Sequence, residues 1–413
     1  ITAKSTTIFT REDLDRAVAE AFALFATERP RPVHIEIPTD IMRLAIDGTI
    51  VAEAQTQSMP SEVNEPTLRS VAEHVSRAKA PLLLVGGGAV HAASDIARLA
   101  ERLDAPVVMT VNGRGIMPAG HPLALPHNPS LKAIRDLMKE ADVTLAIGTE
   151  FGPTDYDWNE DGGFAIGGTL IRIDIDPAQA TRGPAADHLL IGDAFTYTQR
   201  LLSMITPSPS GLGEERVIKT REQILKNDMP SIYIAGIALL DLIRSTLPNV
   251  VIVGDSTQPG YAGSVGYNTD GPRRFFGSMT GFGTLGYALP AALGARIGVD
   301  HPVVALIGDG GLQFTIAELS SAVEEQVPII ILVWNNCGYG EIRNFMIARE
   351  IKPQGVEIGA PDLCAIAQAY GVHAERPSDF DELPQLLKQA AARSGPTLID
   401  LDEALVLSAF ADA

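Results

Sequence analysis

The sequence has little that would cross-link the chain, insert into a membrane or attract nucleic acid. Its 413 residues include only two cysteines, Cys337 and Cys364, so we expect no disulfide framework. No apolar run approaches the ~18 residues that a membrane span needs. Acidic residues outnumber basic ones by 51 to 32, which excludes nucleic acid and anionic membrane surfaces as expected partners. The same balance fits an ordinary cytoplasmic protein.

Short continuous apolar runs are abundant and define the predicted fold class. Such runs suit strands that are buried on both faces, as in parallel sheets covered by helices. Amphipathic stretches at 94–103 and 362–370 lie between them, which predicts an α/β architecture with right-handed crossovers. The predicted strands lie within residues 32–37, 81–86, 106–111, 143–148, 169–175, 250–255, 302–308, 328–334 and 396–401.

One segment interrupts this alternation. Residues 206–230 contain no apolar run and are rich in Pro, Ser, Gly and charge, which is typical of a linker. We therefore predict two doubly wound parallel-sheet domains, at 46–205 and 231–413, joined by this linker. Residues 1–45 form a separate segment before the first of them.

A glycine-rich motif, GDGG at 308–311, follows one predicted strand, and two asparagines follow the next. We expect GDGG to form a tight turn and residues 315–326 to form a helix. Thr315 and Glu318 have the spacing of a capping box, which supports the start of that helix. The whole stretch is therefore predicted to be one βαβ unit.

Asp309 and Asn336 then lie just past the C-terminal ends of two parallel strands. If the strands are neighbours, they are ~5 Å apart, and both side chains reach the crevice where α/β sheets bind ligands. Carboxylate and carboxamide oxygens suit a hard cation such as Mg²⁺. Backbone N–H groups of Gly308, Gly310 and Gly311 are available to a phosphate. The alternative is an ordinary turn and an ordinary strand-end cap.

Gly-Asp-Gly and Asn-Asn, with the 24 residues 311–334 between them, resemble the signature of thiamine diphosphate enzymes. The resemblance covers nearly the whole chain and is to the branch of acetohydroxyacid synthase, benzoylformate decarboxylase and pyruvate decarboxylase. It implies that Asp309, Asn336 and the Gly338 carbonyl hold Mg²⁺ on the diphosphate of thiamine diphosphate. It also implies a homodimer or homotetramer that acts on a small 2-oxo acid.

Two further segments resemble cofactor-binding parts of that family. Within 277–295, Leu285 matches the aliphatic residue that holds the thiazolium in a bent conformation, and the Gly283 carbonyl would accept from the 4′-amino group. A Gly/Ala-rich helix packed on a sheet is the alternative. Within 253–260, Thr257 and Gln258 match a loop that touches the diphosphate, and a plain hydroxyl-rich loop is the alternative.

The first predicted domain resembles the family's middle, Rossmann-like domain. That domain binds FAD or ADP in some members and nothing in others, and the glycine turn at 86–88 is a weak nucleotide signal by itself. We do not expect an occupied nucleotide site here.

Residues 1–45 resemble only the tail of the family's pyrimidine-binding domain. The glutamate that activates the aminopyrimidine ring in the family has no counterpart in this sequence. A fragment of a longer protein, a missing domain on a separate chain and a non-catalytic cofactor-binding module all remain open, and we favour the first. A start within a domain is also expected to expose apolar surface.

Substrate preference is predicted from the residues beyond the metal motif. Glu341 and Ile342 match positions that face the substrate in the related decarboxylases. A partly buried carboxylate is costly unless paired, so we predict that Glu341 binds a cationic tail, as in 5-guanidino-2-oxopentanoate (2-ketoarginine). An ion pair with Arg343 or Arg349 is the alternative. We call the predicted negatively charged entrance to the site the acidic mouth. Besides Glu341, it would include Asp155, Asp157, Glu160 and Asp161.

The resulting prediction is a thiamine diphosphate- and Mg²⁺-dependent 2-oxo acid decarboxylase. An acetolactate synthase-like carboligase, with FAD as an optional second cofactor, is the alternative enzyme.

Overall fold

The computed structural model describes residues 2–45, 63–156, 165–207, 211–359 and 361–410. Within these residues the strands form one two-stranded and two six-stranded sheets, and every strand pair is parallel. The predicted α/β class with two doubly wound parallel sheets is confirmed. No described helix has the length and apolar character needed to cross a membrane.

The strands of the small sheet and the first large sheet come first in the chain. Strands β1 (Lys4–Thr7) and β2 (Val33–Glu36) pair with each other. The first large sheet has the order β5-β4-β3-β6-β7-β8. Its strands are β3 (Pro81–Val85), β4 (Val107–Met109), β5 (Ala124–Leu125), β6 (Val143–Ile147), β7 (Thr169–Asp174) and β8 (His188–Ile191).

The second large sheet has the order β10-β9-β11-β12-β14-β13. The chain runs outward from β9 to β10 and then returns to β11 on the other side, so the topological switch point lies between β9 and β11. Its strands are β9 (Val251–Gly254), β10 (Phe275–Gly277), β11 (Val303–Gly308), β12 (Ile330–Asn335), β13 (His373–Glu375) and β14 (Thr397–Asp402).

Helices connect these strands and cover the sheets. In the first half they are α1 (Arg11–Thr27), α2 (Thr39–Met42), α3 (Glu65–Ser76), α4 (Ala93–Leu103), α5 (Lys132–Glu140), α6 (Pro153–Tyr156), α7 (Pro177–Ala180), α8 (Ala194–Met204) and α9 (Gly213–Gln223). In the second half they are α10 (Ser231–Thr246), α11 (Gln258–Gly266), α12 (Ala288–Gly298), α13 (Asp309–Phe314), α14 (Glu318–Glu324), α15 (Gly340–Ala348), α16 (Leu363–Ala369), α17 (Leu383–Ala391) and α18 (Glu403–Ala409).

Burial on both faces explains why the strands read as continuous apolar runs. In β11, Val304 and Leu306 belong to one core cluster, whereas Val303, Ala305 and Ile307 belong to the cluster on the opposite face. Each of the nine predicted runs overlaps a strand. The strands that sequence reasoning missed are short or polar, and they are β1, β5, β8, β10 and β13.

The βαβ unit around GDGG departs from its prediction in two details. The glycines do not end in a tight turn, because Asp309 begins the six-residue helix α13. The prediction of a capping box is also wrong, because α14 begins at Glu318 without a side-chain cap. The Thr315 hydroxyl instead donates to the Gly286 carbonyl at 2.9 Å and ties this connection to the loop before α12.

The segment predicted to be a linker contains ordered helix. Helix α9 lies within residues 206–230 and is followed by a π-helical turn, Ile224–Asp228. Val217 and Ile224 are buried in a core cluster of the first large sheet. The domain boundaries therefore stay a prediction, with this segment packed against the first of the two sheets.

The glycine turn after β3 is used for close backbone packing. A Cβ on Gly86 would lie 2.4 Å from the Gly148 carbonyl oxygen. The Gly86 and Gly88 N–H groups donate to the Ile147 and Gly148 carbonyls, both at 3.0 Å. Because protein oxygens already occupy these two donors, the structure gives this turn a packing role that needs no nucleotide.

His127, just after β5, is expected to make the fold sensitive to acid. Burial, reinforced by the charges of Arg114 and Arg221, lowers the pKa of its imidazole to about 3. In the unfolded chain the imidazole has its ordinary pKa of 6.5. The contribution of neutral His127 to the free energy of unfolding is therefore fully present above pH 6.5 and is lost as the pH falls towards 3. At 1.36 kcal/mol per pKa unit, the loss between pH 7 and pH 5 is about 1–2 kcal/mol.

Unfolding of the wild type and of His127→Phe in urea at both pH values checks this prediction. The variant keeps a ring against Gly266 but cannot titrate, so it should lose less stability at pH 5. An equal loss in both proteins would show that other groups cause the acid sensitivity.

Candidate functional site

A cavity opens where β9, β11 and β12 end, at the switch point of the second large sheet. Its volume is about 190 Å³, and its mouth is open to solvent. The structure brings all the predicted site residues of this domain to its wall: Thr257, Gln258, Gly283, Leu285, Gly308, Asp309, Gly310, Gly311, Asn336, Gly338, Glu341 and Ile342. Their individual roles remain predictions.

Sequence reasoning missed several other lining residues: Ser256, Tyr261, Trp334, Tyr339 and Gly340. Tyr261 lies one helical turn after Thr257 in α11, so helical spacing from the Thr-Gln pair was a usable signal. Tyr339 lies between two glycines that both reach the cavity, but nothing in the sequence distinguishes it as a lining residue.

Asp309 is an almost completely buried acid, with 1% of its surface exposed. Its Oδ2 has no hydrogen-bond partner within the described residues. Burial raises the pKa of this carboxyl, while backbone N–H groups of Gly310, Asn336 and Gly338 act in the opposite direction. An unsatisfied buried carboxylate oxygen is expensive unless a cation compensates it.

Asn336 supplies a second unsatisfied oxygen to the same cavity. Strands β11 and β12 are hydrogen-bonded neighbours, which meets the condition set in the sequence analysis. Gly308 lies opposite Trp334, so the two strands end at the same level. The Asn336 Nδ2 donates to Glu403 at 3.0 Å. Its Oδ1 is buried and has no partner in the described part of the chain. Two hard oxygen donors therefore lack partners at one edge of the sheet.

This donor set fits a small divalent cation. Carboxylate, carboxamide and backbone oxygens are the ligands that Mg²⁺ and similar ions take, together with phosphate oxygens or water. Residues 2–45, 63–156, 165–207, 211–359 and 361–410 contain no cluster of three or more His, Cys, Asp or Glu side chains arranged for a metal. A cation here would therefore need Asn336, a backbone oxygen such as that of Gly338, and a ligand of its own.

Asp255, a buried carboxylate just after β9, holds another part of the cavity wall in place. Asp255 is fully buried and accepts from the N–H groups of Ser256 at 2.8 Å and Ala288 at 3.1 Å. Burial raises the pKa of its carboxyl against these backbone bonds. Asp255 thus fixes the loop that carries Leu285, in which Gly283 has a φ of +63° that favours glycine.

Thr257 and Gln258 begin α11 at the cavity wall. Thr257 is the N-cap, but its side chain makes no capping hydrogen bond. The Gln258 Nε2 donates to Glu341 Oε2 at 2.8 Å, and the Gln258 Oε1 is buried without a partner among the described residues. The loop therefore offers polar atoms that its own helix does not use.

Glu341 differs from its prediction in its burial and in its partner. Its side chain is exposed in the single chain rather than partly buried. Across the described residues, no ion pair joins it to Arg343 or Arg349, and the Arg349 guanidinium stacks 3.5 Å from the Phe345 ring centroid. Its observed partner is the neutral Gln258.

The predicted acidic mouth is not supported at Asp155. This residue accepts from the Val111 N–H at 3.2 Å and does not line the cavity. Burial raises the pKa of its carboxyl, with the charge of the buried Arg114 opposing this change. Asp157, Glu160 and Asp161 lie outside the described residues.

Comparisons with known proteins agree with this geometry. The family model "Thiamine pyrophosphate enzyme, central domain" matches residues 68–201, and the model of the C-terminal TPP binding domain matches residues 246–401. The chain is 37% identical over 412 residues to a probable 2-ketoarginine decarboxylase of Pseudomonas aeruginosa, covering 98% of this chain and 72% of the relative. The chain belongs to the thiamine pyrophosphate enzymes.

Other members of this family are similar at greater distance. A probable acetolactate synthase large subunit of Methanocaldococcus jannaschii is 30% identical over 419 residues, which cover 94% of this chain and 69% of the relative. The crystal structure of benzoylformate decarboxylase from Polynucleobacter necessarius has a TM-score of 0.76 at 23% identity, covering 97% of this chain and 76% of that one. The similarity to benzoylformate decarboxylase shows a shared fold.

Proposed function

We propose that the protein is a thiamine diphosphate- and Mg²⁺-dependent decarboxylase of 2-oxo acids whose side chain ends in a cation. A guanidino 2-oxo acid such as 2-ketoarginine is the substrate class. One observation carries the proposal: the described residues lining the cavity include two carboxylates, Asp309 and Glu341, and no Lys, Arg or His. Two cations, a divalent metal ion and the charged tail of a substrate, would complement them.

The inner carboxylate is assigned to the cofactor. Asp309 Oδ2 and Asn336 Oδ1 are the orphaned oxygens that would bind Mg²⁺ together with the Gly338 carbonyl. Gly308, Gly310, Gly311 and the Thr257–Gln258 pair would contact the diphosphate. When bound, thiamine diphosphate supplies the electron sink that lets a 2-oxo acid lose CO₂.

Leu285 and Gly283 are assigned to the orientation of the cofactor. Both line the cavity, on a loop that Asp255 holds through backbone N–H groups. An apolar side chain on a fixed loop can support a bent ring system, and the Gly283 carbonyl is available as an acceptor. These contacts would hold the cofactor in its reactive conformation before the substrate reacts. Such positioning supplies much of the rate acceleration of an enzyme.

The outer carboxylate is assigned to the substrate. Gln258 fixes one oxygen of Glu341, which lowers the entropy lost when that carboxylate binds a cation. A planar guanidinium forms paired hydrogen bonds with a carboxylate more readily than an ammonium does. The 37% identity to a probable 2-ketoarginine decarboxylase supports the same substrate class.

We also assign a homo-oligomer, a dimer or a tetramer, to the active protein. Large apolar side chains near the cavity are exposed in the single chain, among them Phe282 at 87%, Phe314 at 61% and Ile342 at 51%. Exposed apolar side chains that form one contiguous patch usually mark a contact surface. A second copy covering them would also remove water from the cavity mouth.

Two measurements test the proposed function. Calorimetric titration of the 413-residue chain with thiamine diphosphate should show binding in Mg²⁺ and little or none in EDTA. CO₂ release by the protein should be faster from 2-ketoarginine than from pyruvate. Binding independent of the metal would contradict the cofactor assignment. Acetolactate formed from pyruvate, together with a flavin absorption band, would favour the carboligase alternative.

A further inference from the structure

Glu403, the first residue of α18, lies behind the metal motif and outside the cavity wall. Its Oε2 accepts from Asn336 Nδ2 at 3.0 Å and from Trp334 Nε1 at 2.7 Å. Trp334 is buried in β12 with 1% exposed, so it holds the carboxylate at a fixed place. Glu403 is 67 residues from Asn336 in sequence.

The chemistry of this contact determines which way the Asn336 amide faces. An asparagine side chain has one accepting end and one donating end of nearly equal shape. An ionised carboxylate only accepts, so the end that faces Glu403 must be the NH₂ group. The Oδ1 is then directed away from Glu403, and it is this atom that is buried without a partner.

The neighbouring asparagine provides an internal comparison. The Asn335 Nδ2 donates to Asp400 at 2.8 Å, and its Oδ1 accepts from the Cys337 N–H at 3.2 Å. Both ends of that amide are satisfied by the protein, and Asn335 does not line the cavity. Acids of β14 and α18 thus orient both asparagines, but only Asn336 is left with a free accepting end.

We propose that Glu403 is a positioning residue for metal binding, because it fixes the carboxamide of Asn336 with Oδ1 towards the cation. This inference rests on the proposed function, since it requires a cation between Asp309 and Asn336. Without an acceptor oxygen that Trp334 holds at this place, the amide can rotate and turn its NH₂ group to the cation. Partners behind a ligand commonly change metal affinity 10–100-fold.

The test measures binding of Mn²⁺ to the 413-residue chain with thiamine diphosphate present, using the loss of the free-ion electron paramagnetic resonance signal. Glu403→Met keeps the length but removes the acceptor, and its Kd for Mn²⁺ should rise about 10–100-fold. Glu403→Asp keeps the charge but withdraws it from Asn336, so it should weaken binding in the same direction. Glu403→Gln should stay close to the wild type, because its carbonyl can accept both hydrogen bonds.

Asp402→Ala is the matched control. Asp402 accepts from the Ala404 N–H at 2.8 Å and caps the same helix without contacting Asn336. It should lower the melting temperature and leave the Mn²⁺ affinity unchanged.

Normal Mn²⁺ affinity in folded Glu403→Asp or Glu403→Met overturns the inference, and so does a matching loss in Asp402→Ala. If Glu403→Met does not fold, the comparison of Glu403→Asp with Glu403→Gln decides. If the wild type binds no Mn²⁺ with thiamine diphosphate, the proposed function fails and this inference fails with it. A wild type that binds and Glu403 variants that bind equally well overturn only the role of Glu403.

Discussion

Replacing Asp309 by Asn is expected to weaken Mg²⁺-dependent binding of thiamine diphosphate by two to three orders of magnitude. The substitution removes the anionic oxygen while keeping the size of the side chain. Loss of one partner from a buried charge pair costs about 3–5 kcal/mol, and each 1.4 kcal/mol is a tenfold change in Kd. Calorimetric titration of the chain with the cofactor in Mg²⁺ measures the loss.

The same substitution should have the opposite effect on the metal-free protein. Asp309 is 1% exposed, carries an oxygen without a partner in the described residues, and has a pKa raised by burial. Its charge therefore opposes folding when no cation is bound, and Asp309→Asn should melt no lower than the wild type in EDTA. In Mg²⁺ and cofactor, only the wild type should gain stability, as mass action requires.

Asp228→Asn is a suitable control for these measurements. Asp228 accepts from the Ala133 N–H at 2.9 Å and does not line the cavity. It should leave cofactor binding unchanged. Undiminished Mg²⁺-dependent binding by Asp309→Asn would remove Asp309 from the metal site.

The sequence predicted the site well where local pattern determines it. The runs at 302–308 and 328–334 are predicted as strands because they are continuously apolar, and the structure pairs them as neighbours. The positions of Asp309 and Asn336 at their ends follow directly. The fold class and the strand-end positions of Asp309 and Asn336 could therefore be predicted from this pattern. Resemblance to a known family, not local pattern, predicted Thr257, Gln258, Gly283 and Leu285 as site residues. Five other lining residues were missed: Ser256, Tyr261, Trp334, Tyr339 and Gly340.

Contacts between distant segments could not be predicted in this way. The Thr315 hydroxyl binds Gly286, 29 residues away, so a spacing that predicts a capping box serves a loop contact instead. Asp255 and Glu403 support the site from other strand ends, and no local pattern connects them with it. The exposure of Glu341 depends on what surrounds the cavity mouth, which one chain's sequence does not specify.

Replacing Glu341 by Gln is expected to reduce kcat/KM for 2-ketoarginine by about 10–100-fold. A hydrogen bond to a charged group contributes about 1.5–3 kcal/mol, and each 1.4 kcal/mol is a tenfold change. The neutral side chain keeps the size of Glu341 and can still bond to Gln258, so loop structure is preserved. Turnover of pyruvate, which has no cationic tail, should change little.

Glu350→Gln controls for the loss of one negative charge from the same part of the chain. Glu350 is exposed just after the end of α15, the helix that begins with Gly340 and Glu341. It should leave the preference for 2-ketoarginine over pyruvate intact. Because Glu341 is exposed, its effect should also shrink as salt screens the charges.

A neutral analogue of the substrate separates charge recognition from other roles of Glu341. In 5-ureido-2-oxopentanoate the guanidinium is replaced by an uncharged urea of the same shape. If Glu341 acts through charge, Glu341→Gln should reduce kcat/KM for the guanidino substrate and have little effect on the ureido substrate. The difference between the two losses is the interaction free energy of the pair. Equal losses on both substrates would instead assign Glu341 to a step common to all 2-oxo acids, and the cationic substrate class would lose its structural support.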